Sequence, residues 1–276
     1  MMKKLFLTVI AASITLSCAA QKKPKIKGDR NVTEIEKVIV NPFNTVEIDD
    51  GLSVEIKQDA TPSYRLKADL NLTEVIEFRV IDSVLKIYTS NRITSSKKLQ
   101  IELNAPTVQY LILKNDASAK TKGKIEGERF QLTANQSSSF DLDIEAPDVS
   151  VLLKQNAGGK MNIDSNKTTI EMLDRTDLKA YIVAQDLTSI LNQSAQLTVA
   201  GDSKNANYEL KEKSELKAKE MKVTSAKLYA TNNADVFIHA TTDFEIYAEG
   251  KSEIYLYGNP EIVIKGLADA SRIIKK

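Results

Sequence analysis

The chain has 276 residues, with 38 basic and 37 acidic side chains, and this even balance argues against a nucleic-acid partner, which needs a basic stripe. Apolar residues make up 42% of the chain, but aromatic residues only 6%, and Trp is absent. A conventional globular core uses more aromatic bulk, whereas many thin apolar layers need less.

The N-terminal segment 1–20 is typical of a signal peptide, since a basic start precedes the apolar run Leu5–Leu16. That run is too short for the ~20 residues that span a bilayer as a helix. Two processing sites fit the sequence. The signal peptide is cleaved before Gln21, or it is a lipoprotein signal that makes Cys18 a lipidated N-terminus. The lipoprotein motif usually has Leu three residues before the cysteine, and Thr15 occupies that position here. We therefore expect an exported chain without a transmembrane span, located in the periplasm, at the outer membrane if lipidated, or at the cell surface or secreted.

Residues 21–37 are polar and charged, and we expect them to form a solvated tether. Residues 38–276 are predicted to form a single domain. Within it, residues 36–99 are rich in alternating strand patterns, with a short helical turn predicted near residues 71–76. We interpret this segment as the opening rungs of the repeat described next. The N-terminal segment and the basic tail Arg272–Lys276 are candidate caps for the exposed strand edges.

Small residues recur about every 19 positions through the rest of the chain. Of the nine residues that follow these anchors by two positions, eight are large and apolar, and Lys120 is the exception. Four positions after the anchors, seven of nine are apolar. The anchors are Ser118, Ser138, Gly159, Thr176, Ala195, Ser214, Ala234, Ser252 and Ser271.

This alternation places one apolar face on each strand, because side chains in a strand point to opposite sides in turn. One unit of about 19 residues cannot bury such a face alone, but units stacked ~4.8 Å apart form continuous apolar columns. The sequence therefore predicts an all-β parallel β-solenoid with rungs of about 19 residues. Asn115, Asn135, Asn156 and Asn192 each lie three before an anchor, which predicts an Asn ladder.

The segment from Thr45 to Tyr88 contains a pattern of apolar and small residues: Val46-x-Ile48-x-x-Gly51-Leu52-x-Val54-x-Ile56, Leu66-x-Ala68-x-x-Asn71-Leu72 and Ser83-x-Leu85-x-Ile87. This pattern resembles the putative auto-transporter adhesin, head GIN domain family, and the likeness extends over about residues 40 to 274. Two departures are Leu-Ser instead of Ile-Asn after Gly51 and charged turns in place of Gly-Ser-Gly. The resemblance implies a right-handed, pectin-lyase-like β-helix, an adhesive role and no established catalytic residues.

Residues for common enzyme chemistry are scarce, because His239 is the only histidine and the only cysteine lies in the signal peptide. No phosphate-binding or dinucleotide-binding glycine loop occurs. The acidic pairs Asp49/Asp50, Asp141/Asp143 and Asp174/Asp177 are interpreted as solvated strand faces and turns. We expect no catalytic residue, metal or cofactor; a polysaccharide-acting β-helix enzyme is the alternative, and a purely structural envelope protein is a third.

Aromatic residues recur at equal offsets on the outward face of the last rungs. Tyr229 and Tyr247 lie five before their anchors, and Phe237 and Tyr255 three after, with Tyr257 nearby. Equal offsets in adjacent rungs predict rings ~5 Å apart that stack. We interpret these five residues as a candidate binding surface for a glycan, a polymer or an envelope protein. Self-association through the same surface, or stacking that serves only the fold, is the alternative.

Overall fold

The computed structural model of the protein describes residues 23–276, and these form a long array of strands stacked as a parallel β-solenoid. The predicted signal peptide and Cys18 lie outside the described residues. The N-terminal part contains β1 (Lys25–Lys27), β2 (Val32–Val38), β3 (Thr45–Ile48), β4 (Ser53–Gln58), β5 (Ser63–Asp69), a 3₁₀ helix (Leu70–Leu72), β6 (Ile76–Ile81), β7 (Val84–Thr89), β8 (Arg92–Ser95) and β9 (Leu99–Ala105). The repeat part contains β10 (Tyr110–Leu113), β11 (Ser118–Thr121), β12 (Ile125–Glu126), β13 (Arg129–Ala134), β14 (Ser139–Glu145), β15 (Asp148–Leu153), β16 (Gly158–Met172), β17 (Asp177–Leu191), β18 (Gln196–Leu210), β19 (Glu215–Ala230), β20 (Asp235–Ala248), β21 (Glu253–Tyr257), β22 (Glu261–Leu267) and β23 (Arg272–Lys275).

From β16 to β20 each long strand carries one whole rung and pairs in parallel with the next. Asp177 lies beside Gln196, and Gln196 beside Glu215, so successive rungs here are offset by the same number of positions. Buried and exposed positions alternate along β17 because successive side chains point to opposite faces. The inward side chains of the rungs join one apolar core. The predicted β-solenoid and its rung length are confirmed.

A column of small, mostly buried residues marks the start of each rung, and two of the predicted anchors are wrong. Ser118 pairs with Ser139, so the member of the column in that rung is Ala117. Gly159 pairs with Phe140, so the member there is Ala157, two residues earlier. In the corrected register the inward residue of the rung that begins at Ala117 is Ala119, which is 1% exposed. Lys120, the polar exception in the sequence alignment, points outward instead. The column consists of Ala117, Ser138, Ala157, Thr176, Ala195, Ser214, Ala234, Ser252 and Ser271.

Two positions before each of these small residues the backbone has a left-handed φ, between 48° and 78°. We call these positions the left-handed column. Only Gly250 among them is a glycine, and an L-residue in this conformation costs roughly 1–2 kcal/mol. The predicted Asn ladder does not form, because its four members occupy three different turn positions. The left-handed column consists of Asn115, Gln136, Gln155, Asp174, Gln193, Glu212, Asn232, Gly250 and Asp269.

The N-terminal part supplies parallel rungs, as expected, but in an order that the sequence did not indicate. Strand β3 lies between β7 and β10, and β4 lies between β9 and β11. The rung that comes first in the chain is therefore inserted between the rung formed by β7 and β9 and the rung formed by β10 and β11.

Antiparallel strands close this end of the solenoid, and they include residues that we expected to form a tether. Strand β2 pairs with β5, β5 with β9, and β6 with β7, all antiparallel, while β1 pairs with β8. Residues 25–27 and 32–37 are thus part of the fold, because their backbone groups complete the ladders of β8 and β5. The fully buried carboxylate of Asp69 accepts hydrogen bonds from the backbone N–H groups of Arg30, Lys97 and Lys98, which ties the cap together.

The C-terminal end has no comparable cover among residues 23–276. Strand β22 pairs with β20, and β23 pairs with β21, each along one edge only. Ile262, Ile264 and Leu267 align with the fully buried Phe244, Ile246 and Ala248 of the preceding rung, yet they are 42%, 54% and 45% exposed. The basic tail therefore does not shield the apolar core as a cap would.

Candidate functional site

The outward face of β19 and β20 carries the first predicted ring stack. Tyr229 and Tyr247 are register partners, with centroids 5.0 Å apart and ring planes inclined by 10°. Leu228 and Ala230 on either side of Tyr229 point into the core, which turns the tyrosine outward, where it is 41% exposed. The predicted stacking of this pair is confirmed.

The second stack lies on β20 and β21, on the other side of the turn. Phe237 and Tyr255 are register partners, with ring centroids 4.6 Å apart and planes inclined by 6°. The ammonium group of Lys276 lies 5.1 Å from the centroid of Tyr255, within cation–π range. Both predicted columns therefore exist as stacked pairs of partly exposed rings.

Carboxylates hold the tyrosine hydroxyls in place. The Tyr247 O–H donates to Glu249 Oε2 and the Tyr255 O–H donates to Glu253 Oε2, each at 2.7 Å. These hydrogen bonds to anions are the largest cause of the raised pKa values of both tyrosines. The hydrogen bond from the Tyr255 hydroxyl is in turn the largest cause of the lowered pKa of Glu253, and the hydrogen bond from Arg272 is the second largest. The rings are therefore fixed in orientation, with negative charge at their tips.

The backbone of β22 lies close to the face of the Tyr247 ring that is turned away from Tyr229. Tyr247 aligns with Gly266 of β22, and a Cβ at that glycine would lie 2.7 Å from ring atoms Cδ2 and Cε2. The ring therefore packs flat on the backbone of the last rung, and a side chain at position 266 would push it away.

The small anchors Ala234 and Ser252 do not shape the edge between the two stacks, because both are fully buried and face the core. The turn residues Asn232, Asn233 and Gly250 form the edge instead. The turns of the two rungs pack closely at Gly250, where an added Cβ would meet the Asn232 carbonyl oxygen at 2.5 Å.

A hollow of about 390 Å³ adjoins the second stack, and the sequence did not reveal it. It arises from a bulge in β19: Ala218 pairs with Ile238, but the next partner, His239, pairs with Lys222. The rung that starts at Ser214 is longer by one position than the rung before it, and this insertion was the available signal. The hollow is lined by Thr198, Val199, Ala200, Lys217, Lys219, Glu220, Phe237 and Tyr257.

Three of the other residues that we weighed for chemistry, His239, Asp50 and Asp174, make structural contacts. His239 Nδ1 lies 3.2 Å from the Lys219 carbonyl oxygen, at the bulge. Asp50 binds Lys23 and accepts the backbone N–H of Thr89, while Asp174 accepts that of Gln155. In the part of the chain that the structure describes, no group of three or more His, Cys, Asp or Glu side chains is arranged to hold a metal ion. No helix in residues 23–276 has the length and hydrophobicity to cross a bilayer.

The sequence matches the model of a family described as "Putative auto-transporter adhesin, head GIN domain" over residues 42–161 and 153–260. A "putative adhesin" from Parabacteroides distasonis has a similar structure, with a TM-score of 0.69 and 17% identity over 91% of this chain and 100% of that one. Another "putative adhesin", from Parabacteroides merdae, has a TM-score of 0.62 and 18% identity over 92% of this chain and 99% of that one. A "putative lipid binding protein" from P. distasonis has a TM-score of 0.62 and 19% identity over 91% of this chain and 99% of that one. At these identities the likeness shows the fold alone. Comparison with curated protein sequences gives no match.

Proposed function

The chain belongs to the family described as "Putative auto-transporter adhesin, head GIN domain", and from this membership we propose that it is an exported, non-catalytic binding protein of adhesin type. It binds its partner through the aromatic surface, which we define as Tyr229, Phe237, Tyr247, Tyr255 and Tyr257. The observation that carries this proposal is the pair of outward ring stacks on adjacent rungs. Fixed, partly exposed aromatic rings provide contact area at little cost in conformational entropy.

The chemistry of the aromatic surface favours a glycan of the cell envelope or of a host surface. Sugar rings present apolar C–H groups, which can pack on the outward edges of the stacked rings, and hydroxyl groups that donate hydrogen bonds to carboxylates. Glu249 and Glu253 lie at the tips of Tyr247 and Tyr255, where a sugar on the rings would meet them. Because both stacks repeat along the solenoid axis, a polymer can make equivalent weak contacts with successive rungs, which add up through repetition.

A variant that removes three of the rings tests the proposal. We expect Tyr229→Ser, Tyr247→Ser and Tyr255→Ser together to abolish the glycan-array signal of the parent chain, after circular dichroism has verified folding. Tyr181→Ser is the matched control, since Tyr181 is also outward and is 52% exposed but lies on β17, away from both stacks. A folded triple variant that binds as well as the parent would show that the stacks serve only the fold.

A lipid is the second candidate ligand, and the hollow beside Phe237 and Tyr257 favours it. Val199, Ala200 and both rings give the hollow an apolar lining, while Lys217 and Lys219 supply cations for an anionic headgroup. One structural relative is described as a "putative lipid binding protein". Binding to phosphatidylglycerol vesicles that is lost in Lys217→Glu/Lys219→Glu, with no glycan signal in the parent, would replace the glycan proposal by this one.

Export and the absence of catalysis are tested separately. Mass spectrometry of protein recovered from the envelope should show an N-terminus at Gln21 or a lipidated Cys18, and an intact Met1 would contradict both. Incubation with the polysaccharides that bind should release no shortened fragments. Cleavage products would support the alternative of a polysaccharide-acting β-helix enzyme.

A further inference from the structure

The C-terminal end of the solenoid, distinct from the aromatic surface, leaves a strand edge and apolar side chains uncovered in the described structure. Strand β22 leaves one edge without a strand partner in the described structure, and its neighbours in the core columns are already buried. An edge of this kind presents a row of unpaired N–H and C=O groups that can pair with another strand. Val263, on the outward face of β22, is 44% exposed, and the inward Ile264 is 54% exposed.

The sequence of β22 is complementary to itself. It begins Glu261-Ile262-Val263-Ile264-Lys265, which reads acid–apolar–apolar–apolar–base. If two such strands pair antiparallel about Val263, Ile262 of one copy lies opposite Ile264 of the other. The same register places Glu261 opposite Lys265 of the second copy and, by symmetry, Lys265 opposite Glu261 of the second copy. Residues directly opposite in an antiparallel pair share a face and interact, so both matches are favourable.

We propose that two copies of this chain dimerise end to end through antiparallel pairing of β22 about Val263. A two-fold axis through Val263 and perpendicular to the sheet joins the open core of one copy to that of the other. The exposed Ile262, Ile264 and Leu267 of both copies are then covered. Such an interface uses the same patch on both copies and therefore closes on itself. The opposite end of the solenoid has its antiparallel cap, so the assembly stops at two.

The charges at this end agree with such a dimer. On the outward face Lys265 lies 3.7 Å from Glu245 of its own chain, beside the place where Glu261 of a second copy would lie. Strand β23 and Lys276 after it are basic, but the side chains of Arg272 and Lys276 point back toward the preceding rung. Arg272 binds Glu253, and Lys276 lies over Tyr255. One short strand and the end of a narrow core form a smaller contact than a standard interface, so the dimer forms reversibly and depends on concentration.

Site-specific crosslinking tests the register. In the full chain with Cys18→Ser, Val263→Cys supplies the only thiol, and two such cysteines face each other across the axis at ~5 Å between Cβ atoms. We expect oxidation to give a disulfide-linked dimer on non-reducing gels. The control Tyr181→Cys is equally exposed but lies on the side of the solenoid, and it should stay monomeric. A Val263→Cys chain that stays monomeric, or a control that crosslinks as well, overturns the proposal.

Charge reversal gives a second, independent measurement. Sedimentation analysis should show that Glu261→Lys weakens dimerisation at least fivefold, and that Glu261→Lys combined with Lys265→Glu restores it. The Tyr229→Ser/Phe237→Ser variant of the aromatic surface, which leaves the Tyr247 ring on Gly266 and Tyr255 beside Lys276, should dimerise like the parent, and this separates the β22 site from the proposed glycan surface. If the double reversal fails to restore the dimer, or if this aromatic variant abolishes it, pairing through β22 is wrong.

Discussion

Within residues 23–276, two buried hydroxyl groups in the core have no hydrogen-bond partner, and they lead to a stability prediction with an unusual sign. Tyr208 is fully buried, and its hydroxyl has no partner; the same holds for Ser189 Oγ in the adjacent rung, its register partner. Burial also raises the pKa of Tyr208 above its ordinary range. Mutational data put the cost of an unpaired buried hydroxyl at about 1–3 kcal/mol.

Replacing Tyr208 by Phe removes that polar group and leaves the ring that fills the column. The small void left by one oxygen offsets part of the gain. We therefore expect Tyr208→Phe to raise the free energy of unfolding by about 1–2 kcal/mol. In a chain of this size about 1 kcal/mol corresponds to about 2–4 °C in Tm. Ser189→Ala should act in the same direction, and because the two residues are register partners, their effects should not simply add.

Urea denaturation and thermal melts followed by circular dichroism measure the effect. Tyr229→Phe is the matched control, because it deletes the same oxygen from an exposed ring and should change stability by less than about 0.5 kcal/mol. If Tyr208→Phe lowers the stability instead, the hydroxyl has a partner in solution, and the column around Tyr208 is wetter than its contacts indicate.

Three further perturbations have definite expected outcomes. Leu216→Asp should unfold the chain, because Leu216 is fully buried and a lone charge there costs more than about 4 kcal/mol. A cooperative thermal melt near the parent Tm would contradict the assignment of Leu216 to the core. Glu212→Gly should stabilise by about 0.5–1 kcal/mol, because glycine adopts the φ of 61° without strain; an unchanged or lower urea midpoint would argue against strain in the left-handed column. Backbone hydrogen bonds from Lys97, Lys98 and Arg30 hold the pKa of Asp69 below its ordinary value of about 3.9. The stability that Asp69 contributes is therefore complete above that pH and is lost as the pH falls through the lowered pKa. Hydrogen-exchange protection in β2, corrected for the intrinsic exchange rate at each pH, should decrease below about pH 4, and Asp69→Asn should remove that pH dependence.

The repeat could be predicted from the sequence because alternation and period are local properties. Leu178, Leu197 and Leu216 stand at one offset, and pairing of adjacent rungs follows directly. The misplaced anchors, Ser118 and Gly159, lie where small residues occupy several neighbouring positions, so composition does not distinguish the inward one. The cap was missed because antiparallel pairing of β2 with β5 joins distant segments, and no short pattern encodes such a partnership.

The aromatic surface divides in the same way between what was predicted and what was not. The stacking of Tyr229 on Tyr247 follows from equal offsets, and the structure confirms it. The hollow near Tyr257 depends on how β19 bulges against β20, a matter of register between rungs. The support of the Tyr247 ring by Gly266 depends on an irregularity of β22 that only pairing reveals.

The inserted position of the first rung restricts the order in which the chain can fold as it is synthesised. Strand β3 needs β7 on one side and β10 on the other, so it must remain incompletely paired until both have emerged. From β16 onward, by contrast, each rung finds its partner in the segment that follows directly in the chain, and pairing can advance like a zipper. The slow, long-range step of folding is thus concentrated at the N-terminal end. A chain released before residue 113 would present unsatisfied strand edges there, where quality-control proteases and chaperones recognise incomplete products.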